Sequence, residues 1–104
     1  MHEALWEKVK STDIPTILHY LNYLKKYYAT EIMEKLFKEV IDFARNANYR
    51  TEYERIASYI RKMLEDAPEE KEKIIKLVEK LKQQNKKKYS FVQILNEIII
   101  EYKI

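Results

Sequence analysis

The residue types that most often carry catalysis or bind metals are scarce in this chain. It has two histidines, His2 and His19, no cysteine and no glycine. Without cysteine there is no thiolate nucleophile and no sulfur ligand for zinc, and neither histidine has a second base or a carboxylate cluster at ligand spacing. Loops that cradle phosphates need glycine, which excludes P-loop and dinucleotide-binding sites. We therefore predict a protein that is not an enzyme and that uses no metal and no cofactor.

Lysine is concentrated in one segment of the chain. Residues 71–88 contain eight Lys and two Glu, whereas the whole chain has a net charge of only +3. The segment ends in Lys86, Lys87 and Lys88. Such a basic stripe suits nucleic-acid phosphates or acidic protein segments, and a solvated face of a lysine-rich protein explains it equally well. A small nucleic-acid-binding protein that uses these three lysines is therefore an alternative function.

Tyrosines recur at helical spacing near the start of the chain. Tyr20, Tyr23 and Tyr27 are three and four residues apart, so they share one side of a helix. Such a row can serve as a stacking or peptide-binding platform. Packing between neighbouring helices is the interpretation that we favour, because a buried tyrosine can keep its hydroxyl at a wet edge.

The composition indicates the kind of fold that must position these residues. The 104 residues are 46% hydrophobic and 36% charged, with two prolines and no glycine. This predicts an all-α fold in a single domain, residues 1–104, because only helices need so few turn residues. No apolar run is long enough to span a bilayer and no signal-peptide core is present, so we expect a cytoplasmic protein. The high Lys, Glu and Ile content is typical of heat-adapted proteins and suggests a thermophilic archaeal or viral source.

Apolar periodicity predicts six helices, arranged as three antiparallel hairpins. The predicted helices cover about residues 2–10, 14–28, 30–47, 51–66, 67–82 and 91–102. We expect Ser11, Thr12 or Asp13 to cap the second helix and Thr30 to cap the third. Capping boxes are predicted for the last three, at Thr51 with Glu54, Asp66 with Glu69, and Ser90 with Gln93.

The apolar stripe of the third helix recurs after 34 residues. Val40, Phe43, Ala44 and Ala47 are followed at that interval by the stripe of the fifth helix, Ile74, Leu77, Val78 and Leu81. The fourth helix carries its own stripe, which includes Tyr53, Ile56, Ile60 and Met63, and Pro68 follows it.

This order of bulky and small residues resembles the tetratricopeptide repeat, whose helical hairpins stack with a period of about 34 residues. Phe43 and Ala44 stand where the family has its Leu-Gly pair, and Pro68 stands where a proline closes the unit. Ile56 and Met63 replace the family's usual Ala, which implies a degenerate repeat with its helices farther apart. The second half of the chain is also similar to the helical tails of SWIM zinc-finger proteins, although no zinc finger is present.

The resemblance implies a non-catalytic adaptor for protein–protein interactions, in which the first helix of each hairpin lines a concave groove. The implied partner is another protein that supplies an extended, acidic segment. Carried onto this chain, the groove residues are Lys38, Ile41, Arg45, Asn48 and Tyr49 in one hairpin and Ile75, Lys76, Glu79, Lys82 and Gln83 in the next.

The last helix has more apolar residues than one stripe needs. Ile100 and Ile104 extend onto a flank that is otherwise polar. Because no further hairpin covers that flank, we predict a homodimer whose interface includes Ile94, Ile98, Ile100 and Ile104.

Overall fold

The computed structural model describes residues 2–102, and over that range the chain contains α-helices and no strands. The helices are α1 (His2–Val9), α2 (Ile14–Asn46), α3 (Arg50–Asp66), α4 (Lys71–Gln84) and α5 (Tyr89–Tyr102). A short 3-10 turn, Pro68–Glu70, connects α3 to α4. The predicted all-α fold is confirmed, with five helices in place of six because α2 replaces the second and third predicted helices. Ile104 lies outside the described residues.

Helix α2 turns back on itself at Tyr28, whose backbone angles (φ −134°, ψ 33°) are not helical. Ile14 and Phe43 line the same surface cleft, yet a straight helix would hold them roughly 44 Å apart at 1.5 Å per residue. The limbs before and after Tyr28 therefore run antiparallel. The predicted break lies in the right place, but Thr30 is inside the helix and does not cap a new one.

Aromatic packing accompanies the bend. The rings of Trp6 and Tyr28 stack with their centroids 5.7 Å apart, which fastens α1 against the turn of α2. Burial raises the pKa of the Tyr28 hydroxyl, and the nearby carboxylates of Glu3, Glu31 and Glu7 raise it further. The aromatic pair at the bend thus consists of one ring from α1 and one from α2.

The start of α2 follows the sequence prediction. The Asp13 carboxylate accepts a hydrogen bond from the Thr16 amide at 3.1 Å, and Pro15 occupies the first turn, where its missing N–H is not needed. Hydrogen bonding with the Thr16 side chain, and next with the Thr16 amide, lowers the pKa of the Asp13 carboxyl group below its usual value.

The start of α3 differs from the prediction. It begins at Arg50, and the Glu52 carboxylate accepts hydrogen bonds from the amides of Asn48 and Tyr49 at 3.0 and 3.1 Å. The predicted box of Thr51 with Glu54 is therefore wrong. Glu54 forms an ion pair with Arg50 on the solvent side of the helix instead.

The other two predicted capping boxes are also wrong. Asp66 pairs with Lys62, and Glu69 pairs with Lys25 at 3.0 Å. Helix α5 begins at Tyr89, so the Ser90 hydroxyl lies inside the first turn of the helix. The cap position belongs to Lys88, the residue before the helix. Which residue caps a helix depends on which side chain lies within hydrogen-bonding distance of the free amides of the first turn.

The core lies between α3 and the helices around it. Helix α3 packs against α2 and α5 and also contacts α4. The rings of Tyr53 and Phe91 stack with centroids 4.9 Å apart, which joins the first turns of α3 and α5. The predicted stripes are buried, including Val40, Ala44, Ala47, Ile56, Ile60, Met63, Ile74, Leu77, Val78 and Leu81, and Phe43 is half-buried.

Candidate binding surface

The two polar connections that join α2 to α3 and α4 to α5 lie at the same end of the molecule. Residues 45–50 and 82–90 together contain six Lys and Arg and no Asp or Glu. The stacked rings of Tyr53 and Phe91 hold the helix starts that follow these connections side by side. We call residues 45–50 and 82–90 the basic end.

Lys88 holds the two connections together. Its ammonium group donates hydrogen bonds to the carbonyl oxygens of Ala44 and Arg45, at 2.8 and 3.3 Å. These carbonyls lie at the C-terminus of α2, where the helix dipole is negative and free acceptors need a partner. Lys88, which the sequence grouped with nucleic-acid-binding lysines, is therefore a structural residue because its charge is already used inside the chain.

A cleft separates the end of α2 from the end of α4. Ile41 and Arg45 line one side, and Gln84, Asn85 and Lys88 line the other, around a volume of about 380 Å³. The walls thus combine two cations, two amides and one apolar side chain. We call it the α2–α4 cleft.

The amide of Asn85 is held in a fixed orientation within this cleft. Asn85 is the buried polar residue of the described chain, and its Nδ2 donates to the Leu81 carbonyl at 2.8 Å. Its backbone carbonyl accepts from the Lys88 amide, which closes the tight connection between α4 and α5.

The predicted groove residues do not all meet in this cleft. Ile41 and Arg45 line it, whereas Ile75 and Lys76 line a second depression on α4, and Lys82 and Gln83 line a third. Glu79 lines both the second and the third depression. Lys38, Asn48 and Tyr49 are exposed and line none of the three. Ile75 is only 7% exposed, so its expected role as an open apolar floor is corrected: the side chain is largely covered.

The lysines next to Lys88 have a different environment. Lys86 and Lys87 are exposed and form no ion pair within residues 2–102. Lys86 lines the third depression together with Lys82 and Gln83. Of the three consecutive lysines, these two remain free to meet a partner.

Two exposed tyrosines lie at the basic end, and the predictions from the sequence did not connect them. Tyr49 is 71% exposed and Tyr89 is 81% exposed, and both lie at the basic end. The sequence feature that could have indicated this pair is that each tyrosine stands at the end of a polar connection. Tyr23 and Tyr27 are more than half exposed, so the favoured interpretation of buried packing is wrong for them, although their rings lie near each other at 6.3 Å.

The residues predicted to form a dimer interface differ in their exposure to solvent. Ile94 and Ile98 are buried in the core of this chain and are not available to a second copy. Ile100 is 66% exposed, and Ile104 lies outside the described residues. A homodimer through this helix stays a prediction, with Ile100 as its described exposed residue.

No protein family, curated protein or solved structure matches the chain. No helix in residues 2–102 combines the length and the apolar character that crossing a membrane requires. The described residues contain no group of three or more metal-ligating side chains at coordinating distance.

Proposed function

We propose that this protein is a non-catalytic adaptor that binds an extended, acidic segment of another protein in the α2–α4 cleft. The observation that carries the proposal is the composition of the cleft. Two hairpins contribute to it, one through Ile41 and Arg45 and the other through Gln84, Asn85 and Lys88. The guanidinium group of Arg45 and the amide groups beside Ile41 match the carboxylates and backbone of a peptide. Lys88 orders the cleft wall through its bonds to backbone carbonyls and is not the ligand of the peptide.

The proposal includes a fold of tetratricopeptide-like hairpins over residues 29–102. The support is the 34-residue interval between pairs of fully buried residues, Val40 with Ile74 and Ala44 with Val78. In such an array the second limb of α2 and α4 are the first helices of successive hairpins, so the cleft between them corresponds to the groove of the family.

Arg45 is the residue that we expect to recognise a carboxylate. Its guanidinium group is exposed, and its nearest carboxylate, that of Asp42, is 3.8 Å away. This is longer than the roughly 2.7–2.9 Å of a charge-assisted hydrogen bond, so Asp42 does not saturate the donors of Arg45. An incoming carboxylate therefore gains a bidentate partner without breaking a strong contact.

The test uses an acidic 12-residue peptide made of four Glu-Glu-Leu units. We expect its addition to shift the backbone amide NMR signals of Ile41, Arg45 and Gln84. Arg45→Gln should weaken binding about tenfold to 100-fold, the effect of losing a hydrogen bond to a charged group. Arg55→Gln, a matched loss of an exposed arginine on α3, should leave the affinity unchanged.

Two results would overturn the proposal. One is a set of NMR shifts that avoids the cleft residues. The other is an equal loss of affinity in the Arg45 and Arg55 variants, which would mean that the peptide responds to net charge alone.

A further inference from the structure

Five lysines lie on α4 and the connection after it. They are Lys76, Lys80, Lys82, Lys86 and Lys87, and we call them the basic ridge. Within residues 2–102 none of them forms an ion pair, whereas Lys10, Lys35 and Lys62 each pair with an acidic residue three or four positions away. The ridge therefore concentrates five lysines without a described ion pair, and Glu79 is the carboxylate that lies among them.

Part of the ridge lines one depression on the surface. Lys82 and Lys86 line this depression together with Glu79, Gln83 and Val92. At 1.5 Å per residue, the distance along the helix from Lys76 to Lys86 is about 15 Å. Like charges at this density repel one another, and an anionic polymer would relieve that repulsion.

An exposed aromatic ring stands at the end of the ridge. Tyr89 follows the last lysines directly and is 81% exposed, so packing within the chain does not account for its ring. The connection before it is ordered by Asn85 and Lys88, whose contacts fix the direction in which the chain enters α5. The ring and the nearest free ammonium groups are thus presented on the same short connection.

We propose that the basic ridge binds single-stranded nucleic acid, with its lysines at the phosphates and Tyr89 stacked on a base. This goes beyond the adaptor function and uses a different surface from the α2–α4 cleft. Lysines that act as point charges suit phosphates of any sequence. An exposed tyrosine favours single strands over duplexes, because the bases of a duplex are already stacked, and over acidic peptides, which present no base.

The probe is a fluorescently labelled dT20 oligonucleotide, titrated with the protein between 50 and 200 mM KCl. Five phosphate contacts on a single strand predict a slope of log K against log salt of about −3.5, which is roughly a 100-fold loss of affinity over this range. Replacing Lys86 and Lys87 by Glu should reduce the slope by about 1.4. Replacing Lys8 and Lys26 by Glu changes the net charge equally, outside the ridge, and should leave the slope nearly unchanged.

The stacking contact is tested separately. Tyr89→Ala should weaken dT20 binding about fivefold to 100-fold, and Tyr89→Phe should retain it, because stacking needs the ring and not the hydroxyl. Tyr23→Ala removes an exposed tyrosine from α2 and serves as the control. The melting temperatures of all variants should stay close to that of the parent protein.

The proposal is overturned if the two charge-reversed pairs lose affinity equally, or if Tyr89→Ala binds dT20 as the parent does. It is also overturned if a 20-base-pair duplex or a poly-Glu peptide binds the ridge as tightly as dT20. Preference for poly-Glu would assign the ridge to an acidic protein. Tight binding of dT20 with the predicted variant effects supports the proposal whether or not the acidic peptide enters the α2–α4 cleft.

Discussion

Replacing Lys88 by Met tests directly how the basic end is held together. The substitution keeps most of the aliphatic chain and removes the ammonium group that bonds to the carbonyls of Ala44 and Arg45. A hydrogen bond to a charged group contributes about 1.5–3 kcal/mol. Because water reaches the exposed side of Arg45 and can replace part of the contact, we expect a loss of about 1–2 kcal/mol, close to the upper range for a cation at a helix C-terminus.

Thermal unfolding followed by circular dichroism measures this loss. For a domain of about 100 residues, each 1 kcal/mol lowers the melting temperature by about 4–8 °C. Lys87→Met is the matched control, because Lys87 is exposed and forms no ion pair in the described chain; its free energy of unfolding should change by less than about 0.5 kcal/mol. Equal melting temperatures for the two variants would refute the assignment of Lys88 as a structural residue.

Two further predictions concern the packing and the electrostatics of the fold. Ala44 is fully buried in the limb of α2 that packs on α3, so Ala44→Leu should overfill the helix crossing and cost about 1–3 kcal/mol in urea unfolding; an unchanged midpoint would contradict this packing. The pKa of the Glu69 carboxyl group lies below its ordinary value of 4.5. The causes are hydrogen bonds that the carboxylate accepts from the Glu69 backbone amide and from Lys25, together with the positive charge of Lys25. The unfolded state therefore binds more protons near that pH, and the stabilisation is present above pH 4.5 and lost as the pH falls through the lowered pKa. Glu69→Gln should reduce this acid sensitivity of the melting temperature, and a parent-like pH profile would argue against the contact with Lys25.

The sequence by itself determined the fold class and most of the core. Helix periodicity is a local property, since apolar residues three and four positions apart must share a face whatever the chain packs against. The stripe on α3 was therefore predictable residue by residue, and on α4 the four predicted stripe residues are buried. A cap just before Ile14 was predictable for the same reason, because a short side chain reaches only amides nearby in the chain, and the structure selects Asp13 among the three candidates.

Only the tertiary structure decided which polar residues were free to bind a partner. Lys86, Lys87 and Lys88 are equivalent in the sequence, yet only Lys88 reaches carbonyls 44 and 43 positions away. That contact depends on the bend and packing of distant helices, about which local spacing carries no information. The same holds for Ile75, which was predicted to be open and is largely covered. Exposure and charge compensation are properties of the assembled surface, so they follow from long-range packing and not from the order of residues along one helix.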